Sequence, residues 1–210
     1  MKTLHLIIIF WLLVSMAHAQ SPQYTTAMKD NLEKMGKNSD THQSLAATFE
    51  RIALAEKTQW LPYYYAVLNT IIQSFTITET ETKDKTLDHA QGLLDNAFLL
   101  NPDSSECMAL QGFLYIAKLQ ADPMSRGAEY SMKAHDAFDK AIKLNPENPR
   151  GYYMKGITVL NTPDFYGGGK VPAKPILTLA AAKFASFKPA TPFSPDWGKE
   201  DCQKQLDTCK

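Results

Sequence analysis

Ala90-Gln91-Gly92-Leu93-Leu94-Asp95-Asn96-Ala97-Phe98-Leu99-Leu100-Asn101-Pro102 has a counterpart 44 residues further on, Ala134-His135-Asp136-Ala137-Phe138-Asp139-Lys140-Ala141-Ile142-Lys143-Leu144-Asn145-Pro146. Small residues stand at 90, 97, 134 and 141, large apolar ones at 94 and 138, and both stretches close on Leu-Asn-Pro. The same offset relates Met108, Gln111, Gly112 and Tyr115 to Tyr152, Lys155, Gly156 and Val159. A Gly or Ala where two helices cross lets their backbones approach, and a large side chain one turn away fills the groove beside it. The shared proline stops the second helix, because it lacks an N–H and restricts the residue before it. The repeating unit is therefore a pair of helices.

Stepping by 44 extends the pattern both ways. Backwards lie Ala46 and Ala53, with Tyr64 in the run Trp60-Leu61-Pro62-Tyr63-Tyr64-Tyr65; forwards, residues 175–187 are Ala-rich and end before Pro189. Weak terminal copies are what a stack with capped ends requires. The layout predicts helices near 22–36, 43–57, 60–75, 85–100, 105–119, 126–144, 149–161 and 173–187, and a short one near 198–208. Pro62 fits the first turn of its helix, which turns Tyr64 towards the second helix of the pair and Tyr65 towards the inner groove.

The quoted residues resemble the tetratricopeptide-repeat (TPR) signature, W-x2-L-G-x2-Y in the first helix and A-x3-F-x2-A followed by Pro in the second. The chain is similar to exported bacterial periplasmic TPR proteins. The resemblance implies an all-α superhelix of about three to four antiparallel helix pairs over residues 20–190, with 191–210 as a capping segment. It also implies a binding or scaffolding module for a protein or peptide partner. A standard unit has 34 residues, so each copy here carries about ten more. The surplus is expected in loops between first and second helices, at 76–85, 120–127 and 162–172, along one edge of the stack.

Composition narrows the rest. The chain has 22 Lys plus Arg against 22 Asp plus Glu, so no net charge draws it to nucleic acid. Lys2, the apolar run 6–14 and Ala17-His18-Ala19 read as a signal peptide over residues 1–19, with export to the periplasm or beyond. The apolar run is shorter than the roughly 20 residues a membrane helix needs, and no membrane insertion is expected after cleavage. Export places Cys107, Cys202 and Cys209 in oxidising surroundings. A Cys202–Cys209 disulfide requires the last helix to end or bend between them, since seven residues of helix separate Cα atoms by about 10.5 Å. Cys107 reads as a small buried apolar residue.

Function is expected in the inner groove or along the loop edge. The groove register offers Tyr65, Asn69, Phe113, Arg150 and Tyr153 as partner contacts; the loop edge offers Phe165 and Tyr166 before Gly167-Gly168-Gly169-Lys170. That glycine run is no phosphate loop, because Val171 stands where a hydroxyl would hold magnesium. It reads as a structural turn with Phe165 and Tyr166 packing back on the helices. The alternative is a small-molecule or solute-binding helper with a pocket near the Gly-rich loop. His42, His89 and His135 each stand without a partner in sequence, and no nucleophile or metal motif occurs. Neither catalysis, a metal nor a cofactor is expected.

Overall fold

Each helix begins where the sequence supplies a cap. In the computed structural model, which describes residues 21–37, 41–102 and 104–210, Ser21 Oγ accepts from Tyr24 N–H to start α1, Pro22–Gly36. Thr41 starts α2, His42–Ala55, in the same way. Then follow α3, Trp60–Ser74; α4, Thr80–Leu100; α5, Ser105–Ala121; α6, Pro123–Leu144; α7, Pro149–Asn161; α8, Lys170–Ser186; and α9, Lys199–Thr208. Ser104 caps α5 and Asn148 caps α7, each a residue or two after the Leu-Asn-Pro stop. A polar oxygen at these positions satisfies amide groups that the helix itself leaves unpaired. The signal-peptide reading lies outside the described residues. Among those described, no helix is long and apolar enough to cross a membrane.

Successive helices pack as antiparallel pairs, α3 with α4, α5 with α6 and α7 with α8, giving the all-α TPR-like stack. Helix α5 also touches both α3 and α7, and the three form its inner layer. The small-against-large rule operates literally at the central pair. A Cβ on Gly112 of α5 would lie 2.2 Å from the Phe138 ring of α6, so only glycine admits that ring. Ser105 Oγ donates to Ala141 C=O at 2.7 Å and accepts from Asn148 at 2.9 Å, joining α5, α6 and α7 at one buried point.

The surplus residues are not loops in the first two repeats. Most of 76–85 and 120–127 is wound into longer second helices of 21 and 22 residues. The cause is local. Glu79 accepts from the Glu81 and Thr82 amides at 3.0 and 2.6 Å, and Asp122 caps the helix that opens with Pro123. Arg126 then pairs with both oxygens of Asp84 at 2.5 and 2.7 Å, tying the added turns of α6 to those of α4. Only the third insertion is irregular. A 3-10 turn, Asp164–Tyr166, precedes Gly167 and Gly169 at φ 82° and 92°, backbone that glycine adopts without strain.

Two hydrophobic clusters result. One joins α1 to α5 and includes Phe193; the other joins α6 to α9, and Phe113 and Trp197 pack against both. The described C-terminal residues therefore belong to the core as well as closing the stack. Helix α9 runs unbroken from Cys202 to Thr208 and ends only at the residue before Cys209, and the Cys202–Cys209 bond is not formed. All three cysteines are free and buried. Burial pushes the Cys107 thiol up to about 12 and Cys202 to about 11, which keeps both protonated.

Candidate functional site

Helix α3 is buried along almost its whole length, and its inner face carries Tyr65, Leu68 and Ile72 to the seam between the two clusters. Phe113 of α5 and Tyr153, Met154 and Ile157 of α7 continue that face one repeat at a time. The end of α1 adds Leu32 and Met35, and the start of α2 adds His42. The chain after α8 returns across the stack and contributes Pro192 and Trp197. Together these line a cavity of about 830 Å³ that is open to solvent on one side. That lies in the upper part of the range for a site taking one small molecule, which is typically apolar with a few placed polar groups. Here the polar groups are His42, Ser194, Asp196 and Asp201.

The returning segment is fixed at three points. Tyr65 Oη donates to the Phe193 carbonyl at 2.9 Å, and Trp197 Nε1 donates to Tyr64 Oη at 2.8 Å. Arg150 donates to the Pro195 carbonyl and pairs with Glu106 at 3.0 Å. The same guanidinium lies over the Phe187 and Trp197 rings at 4.7 and 5.5 Å. Gly198, at φ 100°, lets the backbone turn beside Phe184 and Tyr153. Burial raises the Glu106 carboxyl, while Arg150 pulls it back towards the ionised form. Burial also raises the phenols of Tyr64, Tyr65 and Tyr153, so these hydroxyls remain neutral donors across ordinary pH.

His42 owes its orientation to α3. Its Nδ1 is 2.8 Å from Asn69 Oδ1, and Asn69 Nδ2 donates to the Tyr65 carbonyl at 2.9 Å. The same amide nitrogen lies 3.6 Å from Met35 Sδ.

The groove register is partly realised. Tyr65, Phe113 and Tyr153 line the cavity. Asn69 and Arg150 do not line it; both are fully buried and hold other residues in place, His42 in one case and the returning segment in the other. Phe165 and Tyr166 do not pack back on the helices. They are 79% and 75% exposed, with ring centroids 4.2 Å apart and planes tilted by 43°. Tyr166 borders a separate cavity of about 360 Å³ with His135, Asp139, Lys155, Gly167 and Gly168. The larger cavity is thus elsewhere than at the Gly-rich loop. Sequence reasoning missed His42 and Met35, because His42 stands at the first residue of the weakly matching α2 and Met35 lies on α1, before the repeats. The available signal was Asn69, an amide in an otherwise apolar helix, which burial obliges to find partners. Among the described residues no group of three or more His, Cys, Asp or Glu could hold a bare metal ion.

Fold and site together define an all-α helix-pair repeat protein with a ligand-sized apolar cavity on its inner face. Among solved structures, the chain is similar to the HusA haemophore from Porphyromonas gingivalis, with a TM-score of 0.79 and 28% sequence identity over 92% of this chain and 96% of that one. A second structure, the MamA RS-1 ArsTM double mutant, aligns at a TM-score of 0.35 and 15% identity over 80% of this chain and 98% of that one. No protein-family profile and no curated protein sequence matches.

Proposed function

We propose that this chain is an exported binding protein for a large, flat, mostly apolar ligand of the haem type, held in the cavity between the inner helix layer and the returning C-terminal segment. The observation that carries this reading is the cavity itself: about 830 Å³, walled by aromatic, aliphatic and thioether side chains, with one imidazole among them. Likeness to a haemophore over nearly the full length of both chains supports it. The lining contains Asp196 and Asp201 but no lysine or arginine. A haem would therefore seat its macrocycle against the apolar wall and point its propionates out of the mouth into water.

An extended peptide in the groove is the weaker reading. Residues 193–197 lie against Tyr65 and Tyr153, so a peptide following the inner helices would have to displace them. A protein partner retains one independent argument, the exposed Phe165–Tyr166 pair, which offers apolar surface away from the cavity. Such a partner would receive or deliver the ligand.

Titrating the purified protein with haemin and with metal-free protoporphyrin IX tests the main reading. Saturable 1:1 binding that is weakened by Phe113→Ala and by Tyr153→Ala is expected. Absence of saturable binding by both tetrapyrroles would refute it. Pull-down with a Phe165→Ala, Tyr166→Ala variant tests the partner surface, and recovery of the same partners would remove it.

A further inference from the structure

We propose that the outer face of α8, with the Phe165–Tyr166 turn that leads into it, docks the protein on the surface of an anionic lipid bilayer without crossing it. The proposal does not depend on what fills the inner cavity.

The last second helix of a stack has no further repeat to cover its outer side. Helix α9 packs on α8 but leaves a row of its side chains open. Val171, Pro175 and Leu179, spaced four apart and so aligned along one side, are all exposed. The turn at the head of that row adds Phe165 and Tyr166. Among the described residues, five large apolar side chains are at least 75% exposed, and Phe165, Tyr166 and Val171 are three of them. Single exposed apolar residues need no explanation, but a contiguous group marks an interaction surface. A Cβ on Gly167 would meet nothing within 4 Å, so the chain does not shield the tip of the turn.

Charge selects the occupant. From residue 165 to 195 the chain carries Lys170, Lys174, Lys183 and Lys188 and no acid, although the whole sequence balances 22 basic residues against 22 acidic ones. Lys183 pairs with Glu147. Lys170 and Lys174 are exposed, have no ion partner among the described residues, and form a second row beside Val171 and Pro175. The one acid of the preceding turn is Asp164. Apolar side chains flanked by lysines, with aromatic rings at one end, suit a surface that rests in the headgroup layer. Anionic lipids there attract the ammonium groups. The backbone of the turn is compatible with that layer. The amides of residues 166–169 donate to the carbonyls of Pro163, Asp164, Pro163 and Val159 at 2.9–3.2 Å, so none is carried unpaired into an apolar phase. A second copy of the chain fits less well. A two-fold contact sets a patch against itself, which would bring lysine rows together with only Asp164 to receive them.

The purified protein is mixed with vesicles of phosphatidylcholine alone and of phosphatidylcholine with phosphatidylglycerol, and bound protein is measured by sedimentation at low and high salt. Binding to the anionic vesicles, reduced by salt and weak on the neutral ones, is expected. Lys170→Glu with Lys174→Glu should weaken it by about tenfold or more, and Phe165→Ala with Tyr166→Ala by a similar factor. All four side chains are exposed, so both variants should keep the wild-type thermal transition. Phe165→Trp should add an emission component that moves to the blue on anionic vesicles alone. Tetrapyrrole titration of the same variants without vesicles reads the cavity separately and should be unchanged. No sedimentation with anionic vesicles, equal binding to neutral ones, or binding that neither double variant weakens would overturn the proposal. Self-association, or capture of a protein partner, that these substitutions abolish in the absence of any vesicle binding would also overturn it and give the face to that occupant.

Discussion

Replacing Arg150 by methionine leaves Glu106 buried without its cation and releases the Pro195 carbonyl. Removing one partner of a buried ion pair costs about 3–5 kcal/mol, because the other charge stays desolvated. Here the side-chain exposure is 0% for Arg150 and 15% for Glu106, so water does little to screen the change. The lost bond to Pro195 and the contacts over Phe187 and Trp197 add to the loss, though not additively. A net loss of about 4 kcal/mol is expected, which for a domain of this size lowers Tm by roughly 8–16 °C. Urea unfolding followed by tryptophan fluorescence reads this directly.

The pH dependence supplies a second check on the same variant. Burial already raises the Glu106 carboxyl, and without Arg150 only the hydrogen bonds from Asn148 and Tyr64 oppose it. The folded state then holds a proton that the unfolded chain releases at about 4.3. Stability of Arg150→Met is therefore greatest below that value and falls as pH rises towards the higher folded one. Adding Glu106→Leu removes the stranded charge and should recover most of the loss. A cost below about 1 kcal/mol would refute the reasoning, as would a double variant no more stable than the single one.

Gly112→Ala should cost about 1–3 kcal/mol, since its Cβ would overlap the Phe138 ring and α5 must move away from α6; denaturant melts measure it, and a neutral result would mean the crossing is looser than described. Tyr65→Phe should cost about 1 kcal/mol by leaving the Phe193 carbonyl unpaired, with faster proteolysis within 188–198 as the accompanying sign. Arg126 holds the Asp84 carboxyl below its ordinary value. The pair's contribution is thus present above about pH 3.9 and is lost as pH falls through the folded value; both side chains are about 30% exposed, so Asp84→Asn should cost under about 1 kcal/mol at pH 7. Asp201→Asn should tighten haemin binding roughly twofold to fivefold at low salt, by removing a negative charge from a mouth that faces propionates. No change in a low-salt titration would place the propionates elsewhere.

Much of this molecule was determined by the sequence alone, for a physical reason that particular residues display. Gly112 and Phe138 recur at a fixed offset with Leu-Asn-Pro stops because helix crossing and helix termination are local requirements, legible within a few turns. Helix α1 was placed to the residue and α7 likewise, as both open on a capping side chain followed by proline. The groove register brought Tyr65, Phe113 and Tyr153 to one wall, since helical periodicity fixes which face each presents. The repeat offset did not reveal whether surplus residues form loops or longer helices; the Asp84–Arg126 pair, 42 residues apart, bears on that choice. Nor could spacing show that Arg150 turns away from the groove to hold Pro195, or that His42, in the cavity wall, pairs with the buried Asn69, 27 residues away. Those outcomes depend on how whole helices stack and on where the returning chain lies. Burial then favours, for Arg150 and Asn69, partners that only the tertiary arrangement brings within reach.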